Sequence, residues 1–417
     1  MTIDRRGLLA GSIALAGVGL SVREALAAVT TASPESVGFS AAGLAELDKA
    51  MHGLVDEQKL AGVTTLVARH GKVVHFDAYG KRDLTAGAPM EKDTIFRIAS
   101  MTKPITGVAM MMLWEQGEWK LTDPVDQHIP QFRGLKVQAK DGSLVNQTKP
   151  MTMAQLMSHT AGFGVNADYE GQKFSEGDLQ GMIDKLAKLP LKAQPGTDFL
   201  YGPSVNIQGY LVEKFSGKTL DRFFADRIFK PLGMVDTGFW VPPEKASRVA
   251  KVNTYKDGKI VELATQNDPT RKPTFLAGSG GLLSTTEDYW RFAQMVANGG
   301  EAGGKRFIKA STVKLMRTNV LEPGVFVDVY GPNQPGLGFG LDFAVLMSPA
   351  AARSPQGFNT FYWGGAFGTW FWIDPENDVV YVGMIQNLNG SVPGGGTPAV
   401  REISPRLTYA ALTNRKT

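Results

Sequence analysis

Ser100 is followed three residues later by Lys103, in the stretch Ser100-Met101-Thr102-Lys103. Residues three apart share one face of a helix, so the hydroxyl and the amine can meet in an opening turn. A serine hydroxyl is a poor nucleophile until a neighbour takes its proton. Lysine takes it only when neutral. Bringing its reference pKa of ~10.4 down to ~7 costs about 4.6 kcal/mol, so such a site has to be partly desolvated or positively charged. A serine at a helix N-terminus also meets free amide protons and the positive dipole end, which stabilise an oxyanion. Taken alone the pair is unspecific, because a helix cap followed by a solvated lysine gives the same letters. Its setting says more. Residues 94–99 read as a short extended piece, and Thr102 to Glu118 read as a helix. Ile105, Val108, Met111, Met112 and Leu113 give that helix a broad apolar face, and Pro104 suits its first turn.

Two further groups could serve the same chemistry. Tyr201, in Phe199-Leu200-Tyr201-Gly202-Pro203-Ser204, carries a phenol able to relay a proton, although most tyrosines only fill a core. Trp363-Gly364-Gly365-Ala366-Phe367-Gly368-Thr369-Trp370 sets three glycines beside three aromatics, so something approaches the backbone closely there. A bulge or sharp corner explains that pattern. So does an edge strand lining a pocket, with an exposed amide as a second oxyanion donor. The five histidines (52, 70, 75, 128, 159) form no sequence pattern of metal ligands, and no metal or cofactor is expected. Ser216-Gly217-Lys218-Thr219 ends like a phosphate-binding loop, but Val212 stands where its first glycine belongs, so it reads as a helix-terminating turn.

The elements that must position these groups fall into two kinds. Residues 40–60 read as an amphipathic helix capped by Ser40, 62–68 as a buried strand and 73–80 as its hairpin partner across Gly71-Lys72. Strand patterns return at 361–374 and 379–385 around an Asp374-Pro375-Glu376-Asn377 turn, bracketed by helical patterns at 286–297 and 400–412. Between the two ends, 153–158, 178–188 and 204–216 are helical. The expected architecture is an α/β domain with an antiparallel sheet flanked by helices, built from about 28–100 and 271–417. A mainly helical region, about 101–270, is inserted, and a cleft lies between the two.

The chain has 417 residues, 43% hydrophobic and 20% charged, which is the composition of an ordinary globular protein with a sizeable core. A net charge of +4 without any long basic run gives no footprint for nucleic acid. The absence of cysteine excludes disulfides, thiol nucleophiles and thiolate metal sites. Arg5 and Arg6 precede a short apolar stretch to about Leu20, and Ala25-Leu26-Ala27 follows as a cleavage site. That order reads as a signal peptide over 1–27 of the twin-arginine type, giving a periplasmic or secreted protein without stable membrane insertion.

Together these residues resemble the serine β-lactamase and penicillin-binding-protein superfamily, and within it the class C-like esterases called family VIII carboxylesterases. The resemblance runs from about 35 to 400. Ser100-Met101-Thr102-Lys103 matches the Ser-x-x-Lys motif, which implies Ser100 as nucleophile and Lys103 as base. Met151-Thr152-Met153-Ala154-Gln155-Leu156-Met157-Ser158-His159-Thr160-Ala161-Gly162, Pro231-Leu232-Gly233-Met234, Gly280-Gly281-Leu282-Leu283-Ser284-Thr285 and Gly336-Leu337-Gly338-Phe339-Gly340 match further landmarks. It implies the β-lactamase/transpeptidase-like fold, Tyr201 as a catalytic tyrosine, a structural His159, and Ala366 as the second oxyanion amide beside that of Ser100. Trp363, Gly364, Gly365 and Phe367 are then pocket residues.

Two departures bear on substrate. The family's Tyr-x-Asn is here Tyr201-Gly202-Pro203, and its Lys-Thr-Gly or His-x-Gly is Trp363-Gly364-Gly365, which lacks a cation for a substrate carboxylate. The resemblance therefore implies cleavage of small to medium carboxylic esters through an acyl-enzyme. An amidase or peptidase on linear or D-configured amides, an acyltransferase, or a weak class C-like β-lactamase are the alternatives, and a catalytically silent binding module stands further off. The partner is a small-molecule ester or amide; the oligomeric state is not legible. Export is checked by intact mass: protein recovered from the periplasm of its host should begin near Ala28, and a full-length cytoplasmic product would contradict the leader.

Overall fold

The structure is a computed structural model that describes residues 29–169, 171–256, 259–264, 267–329, 334–388 and 398–415. The leader expected over 1–27 lies outside the described residues. Among those described, no helix is long and apolar enough to cross a membrane.

An eight-stranded antiparallel sheet draws its strands from both ends of the chain. The N-terminal end supplies β1 (Gly62–Arg69), β2 (Lys72–Asp83) and β3 (Ala88–Pro89). The C-terminal end supplies β4 (Leu337–Phe339), β5 (Ala344–Leu346), β6 (Phe361–Gly364), β7 (Trp370–Asp374) and β8 (Val379–Met384). Their spatial order is β4-β5-β6-β7-β8-β1-β2-β3. The two ends meet where β1 pairs with β8, from Thr64 opposite Met384 to Arg69 opposite Val379.

Alternation along the strands explains why both faces are covered. Leu66, Ala68, Phe371, Ile373, Val380 and Val382 enter one apolar cluster, while Val63, Val67, Trp370, Trp372, Val379 and Tyr381 enter another. Successive strand residues point to opposite faces, so apolar residues at every position require a layer on each side. One layer is α1 (Ala41–Asp56), whose Leu44, Leu47 and Met51 share the second cluster with Val400 and Tyr409. The Ser40 hydroxyl caps α1 by accepting from the Gly43 amide at 3.2 Å. The other layer is reached through α2 (Thr102–Glu115), in which every residue from Thr102 to Leu113 is buried. A helix apolar all round belongs inside a large core. It packs against α3 (Ser204–Ser216), and α4 (Thr286–Ala297) lies against β8, β1 and β7. A last helix, α5 (Val400–Ala410), returns to α1.

Three sequence expectations need correction. The stretch 361–374 is two strands, because Gly368 at φ 91° and the Gly365 N–H donating to the Thr369 carbonyl at 2.7 Å fold 365–369 into a turn. β6 lies between β5 and β7 and is not an edge, although β5 pairs only as far as Phe361 and Tyr362. Third, the β1–β2 turn is made by His70 and Gly71, both at positive φ (52° and 73°), as a tight two-residue hairpin demands; Lys72 is already strand. The region 101–270 also contains two short hairpins, Val137–Gln138 with Leu144–Val145 and Asn253–Lys256 with Lys259–Glu262.

Gly383 of β8 is covered by the Trp370 ring, to which an added Cβ would approach within 2.3 Å. Gly383→Ala should therefore lower stability by about 1–3 kcal/mol through overpacking. Urea unfolding checks this, and an unchanged midpoint would show that the indole yields freely.

Candidate active site

A short strand, Phe96–Arg97, pairs with Leu283–Ser284 and delivers the chain to Ser100. The expected extended run to Ala99 is shorter than its letters suggest. Ala99 takes φ 45°, left-handed for a non-glycine residue, and opens a 3-10 turn over Ala99–Met101 that runs into α2. Such a conformation costs of order 1–3 kcal/mol and persists only where the surroundings impose it. Here the Ile98 amide bonds to the Leu282 carbonyl at 3.0 Å and the Met101 amide to the Ile98 carbonyl at 3.0 Å. The serine thus sits immediately ahead of α2 rather than inside it.

Lys103 follows in the first turn of α2 and is only 4% exposed. Its Nζ donates to Ser100 Oγ at 3.1 Å and to the Ser279 carbonyl at 2.7 Å. The Ser279 amide in turn donates to Asn206 Oδ1 at 2.9 Å. Sequence reading missed Asn206 and Ser279, and no local pattern announces either. Asn206 stands three residues after Pro203, where the Tyr-x-Asn pattern was interrupted, and it reaches the lysine through another residue's backbone.

Tyr201 completes the cluster. The Trp363 indole N–H donates to its phenol oxygen at 3.1 Å, and Lys103 Nζ lies 4.5 Å from the centre of its ring. Burial pushes the phenol's pKa well above its ordinary value; hydrogen bonds with Ser100 and Trp363 and the Arg401 charge oppose that rise, while Asp342 adds to it. Trp363 itself is 8% exposed and packs on Tyr201 and Phe339. Its contact with the site is therefore through the phenol it supports.

His159 does not join this chain of polar contacts. Its ring is buried among Tyr201, Phe199 and Phe339, neither nitrogen has a hydrogen-bond partner among the described residues, and burial holds its pKa well below the usual value. Asp342 lies buried against α2, because Gly107 lacks the Cβ that would come within 2.8 Å of its Oδ2. Its Oδ1 accepts from Gln208 Nε2 at 3.1 Å.

The glycine-aromatic stretch closes the other side. Gly365 packs on the Ile98 carbonyl, which an added Cβ would approach within 2.3 Å, and Thr369 Oγ1 donates to the same oxygen at 3.1 Å. Ala366 is exposed at the 365–369 turn rather than in a strand. Among the described residues, neither its amide nor that of Ser100 is taken up by another backbone carbonyl. The close approach inferred at Gly364 is real, but its cause is protein: the Arg401 guanidinium, from which an added Cβ would be 2.6 Å away. Two expectations change. Gly364 and Gly365 are seats for Arg401 and Ile98 rather than open pocket lining, and a cation does stand behind this strand, brought from α5. Of the neighbouring aromatics, Trp370 faces away toward Ser404 and Phe361 is buried in the core, leaving Phe367 half-exposed.

A separate cavity of about 210 Å³, lined by Arg97, Val249, Ala250, Asn267 and Pro269 among others, includes none of Ser100, Lys103 or Tyr201. Among the described residues, one group of metal-ligating side chains exists that sequence spacing hid. Asp48 and His52 on α1 and Asp77 on β2 bring ligand atoms within 4.8 Å of one another, with His52 Nε2 on Asp77 Oδ2 at 2.8 Å.

A match to the beta-lactamase family spans residues 47–403. The chain belongs to the beta-lactamase family. Among its members, Protein Rv1367c of Mycobacterium tuberculosis is 32% identical over 86% of this chain and 96% of its own. Esterase EstB of Burkholderia gladioli is 33% identical, over 82% of this chain and 91% of its own. The solved structure titled "EstCE1, a hydrolase with promiscuous acyltransferase activity" superposes with a TM-score of 0.75 at 24% identity, covering 88% of this chain and 99% of that one. The beta-lactamase-like fold, with its antiparallel sheet and flanking helices, agrees with what the motifs implied.

Burial raises the Asp342 carboxyl well above its usual value, against the Gln208 hydrogen bond and the Lys103 charge, which lower it. The folded state therefore keeps a proton that the unfolded chain releases above ~4. The stability this group contributes is complete below that pH and is lost as pH rises toward the folded value. Asp342→Asn should gain on the wild type steadily as pH increases, as measured by urea unfolding at about pH 5 and about pH 8. A difference independent of pH would contradict the buried, protonated carboxyl.

Proposed function

We propose that this beta-lactamase family member is a serine carboxylesterase acting on small to medium acyl esters. The observation that carries the reading is a buried Lys103 Nζ 3.1 Å from Ser100 Oγ, with the Tyr201 phenol against the same pair. An acyl donor would place its carbonyl oxygen between the Ser100 and Ala366 amides. Neutral Lys103 accepts the Ser100 proton as Oγ bonds to the carbonyl carbon, and the tetrahedral oxyanion forms against the two N–H donors. Collapse breaks the bond to the leaving oxygen, and Tyr201, resupplied with a proton from Lys103, protonates the departing alkoxide. Water then attacks the acyl-serine along the same route in reverse and returns the proton to Ser100. An alcohol in place of water gives acyl transfer, the promiscuous activity of EstCE1.

Ester preference is supported by Trp363, a neutral residue committed to Tyr201 at the place of the family's cation, by the half-exposed Phe367, and by the likeness to EstB. A β-lactam brings a carboxylate whose desolvation costs free energy unless a charge meets it. The Arg401 guanidinium behind this strand is bonded to backbone carbonyls. Uncharged acyl groups instead gain ~25 cal/mol per Å² of apolar area buried. The leader over 1–27 supports a periplasmic or secreted site of action. The test is kcat/KM on a non-activated ester, the matching linear amide and a cephalosporin. The ester should lead the amide by more than ~1.4 kcal/mol, a tenfold ratio, and lead the cephalosporin by more. If the amide or the cephalosporin comes first, the esterase reading is wrong.

A further inference from the structure

We infer that Arg401 is a positioning residue for the oxyanion end of the site: from the first turn of α5 its guanidinium clamps the 365–369 turn that presents the Ala366 amide. This rests on the proposed serine acyl-transfer chemistry.

The turn closes on itself through two hydrogen bonds, from the Gly365 amide to the Thr369 carbonyl at 2.7 Å and from the Gly368 amide to the Gly365 carbonyl at 3.0 Å. Arg401 Nη2 donates to both of those carbonyls, at 2.8 Å each. One cationic donor therefore ties together the two residues at which the turn begins and ends, and charge-assisted bonds of this kind are roughly twice as strong as neutral ones. Gly364 makes the approach possible, since a Cβ there would lie 2.6 Å from both Cζ and Nη2. On its opposite side the turn rests on the Ile98 carbonyl, two residues before Ser100, through Gly365 and Thr369 Oγ1. The turn is gripped between α5 and the Ser100 segment, and Ala366 is exposed at its tip. An oxyanion donor is effective only when fixed within a fraction of an ångström, so a group that sets the turn sets the rate. The same positive charge also acts on the Tyr201 phenol, opposing the effect of burial.

The test uses the full chain with Arg401→Ala, Arg401→Lys and Gly364→Ala. Two rates are read: ester kcat/KM, and the rate at which a fluorophosphonate modifies Ser100, which needs no natural substrate. Arg401→Ala should lose about tenfold or more in both, carried by kcat rather than KM. Free guanidinium ion should restore part of that loss where sodium at equal ionic strength does not, which a merely structural defect would not show. Gly364→Ala, by displacing the guanidinium from the other side, should move both rates in the same direction. If Arg401→Ala does not fold, Arg401→Lys and Gly364→Ala decide. Folded variants with rates within about twofold of wild type, or a loss that guanidinium and sodium repair equally, would overturn the inference. Wild-type protein that reacts with the fluorophosphonate at Ser100 but cleaves no ester would defeat the ester reading alone, with the Arg401 assignment still decided by the modification rates.

Discussion

The ammonium of Lys103 is almost wholly removed from water, and what replaces its hydration governs the site. A buried cation is costly unless its donors are satisfied. Ser100 Oγ and the Ser279 carbonyl satisfy two of them, and the electron-rich face of Tyr201 adds a third favourable contact. The other titratable groups that sense the lysine, His159 and Asp342, are both pushed by burial toward their neutral forms. With the Asp342 carboxyl held toward its neutral form, no full negative charge from that side chain holds the proton on the lysine, which favours its acting as a base. The strained Ala99 follows from the same need. It opens the 3-10 turn that leads from the Phe96–Arg97 strand into α2 and so places Ser100 beside the first turn that carries the amine.

The sheet supplies the second constraint. The serine belongs to the N-terminal half of the chain, whereas the turn with the Ala366 amide belongs to the C-terminal half. Pairing of β1 with β8 makes one sheet of the two halves, and α5, packed on α1, carries Arg401 to the back of that turn. Asn206 contributes in the same way from the helical part, and Ser279 from the segment that follows it. The site is thus assembled by tertiary packing among segments hundreds of residues apart, each of which has its own reason to be where it is.

That arrangement explains what could be read in the letters. Ser100 and Lys103 are three apart, so one helical turn joins them and the pairing was visible. The bounds of α3 and α4 followed from spacing, and the start of α1 from its Ser40 cap, while α1 ends at Asp56, short of the expected 60. The glycines at 364 and 365 announced a close approach correctly, but a glycine reports only that something comes near. Gly364 meets a guanidinium 37 residues later in the chain, and Gly365 a carbonyl 267 residues earlier. The run 361–374 looked like one strand because apolar residues continue through Ala366 and Phe367, although the glycines at 364, 365 and 368 were also compatible with the corner that the chain makes there. Asn206 was invisible because it acts through the backbone of Ser279, and the His52 group because α1 and β2 are joined only in the fold.

Activation of Ser100 by Lys103 is tested by the rate and location of fluorophosphonate attack on the wild type and on Lys103→Ala and Lys103→Arg. Peptide mass spectrometry should place the adduct on Ser100 alone. Both variants should react about a hundredfold more slowly or worse, because removal of a general base forfeits roughly that much and arginine stays protonated. An adduct on another serine, or an undiminished rate in either variant, would contradict the account.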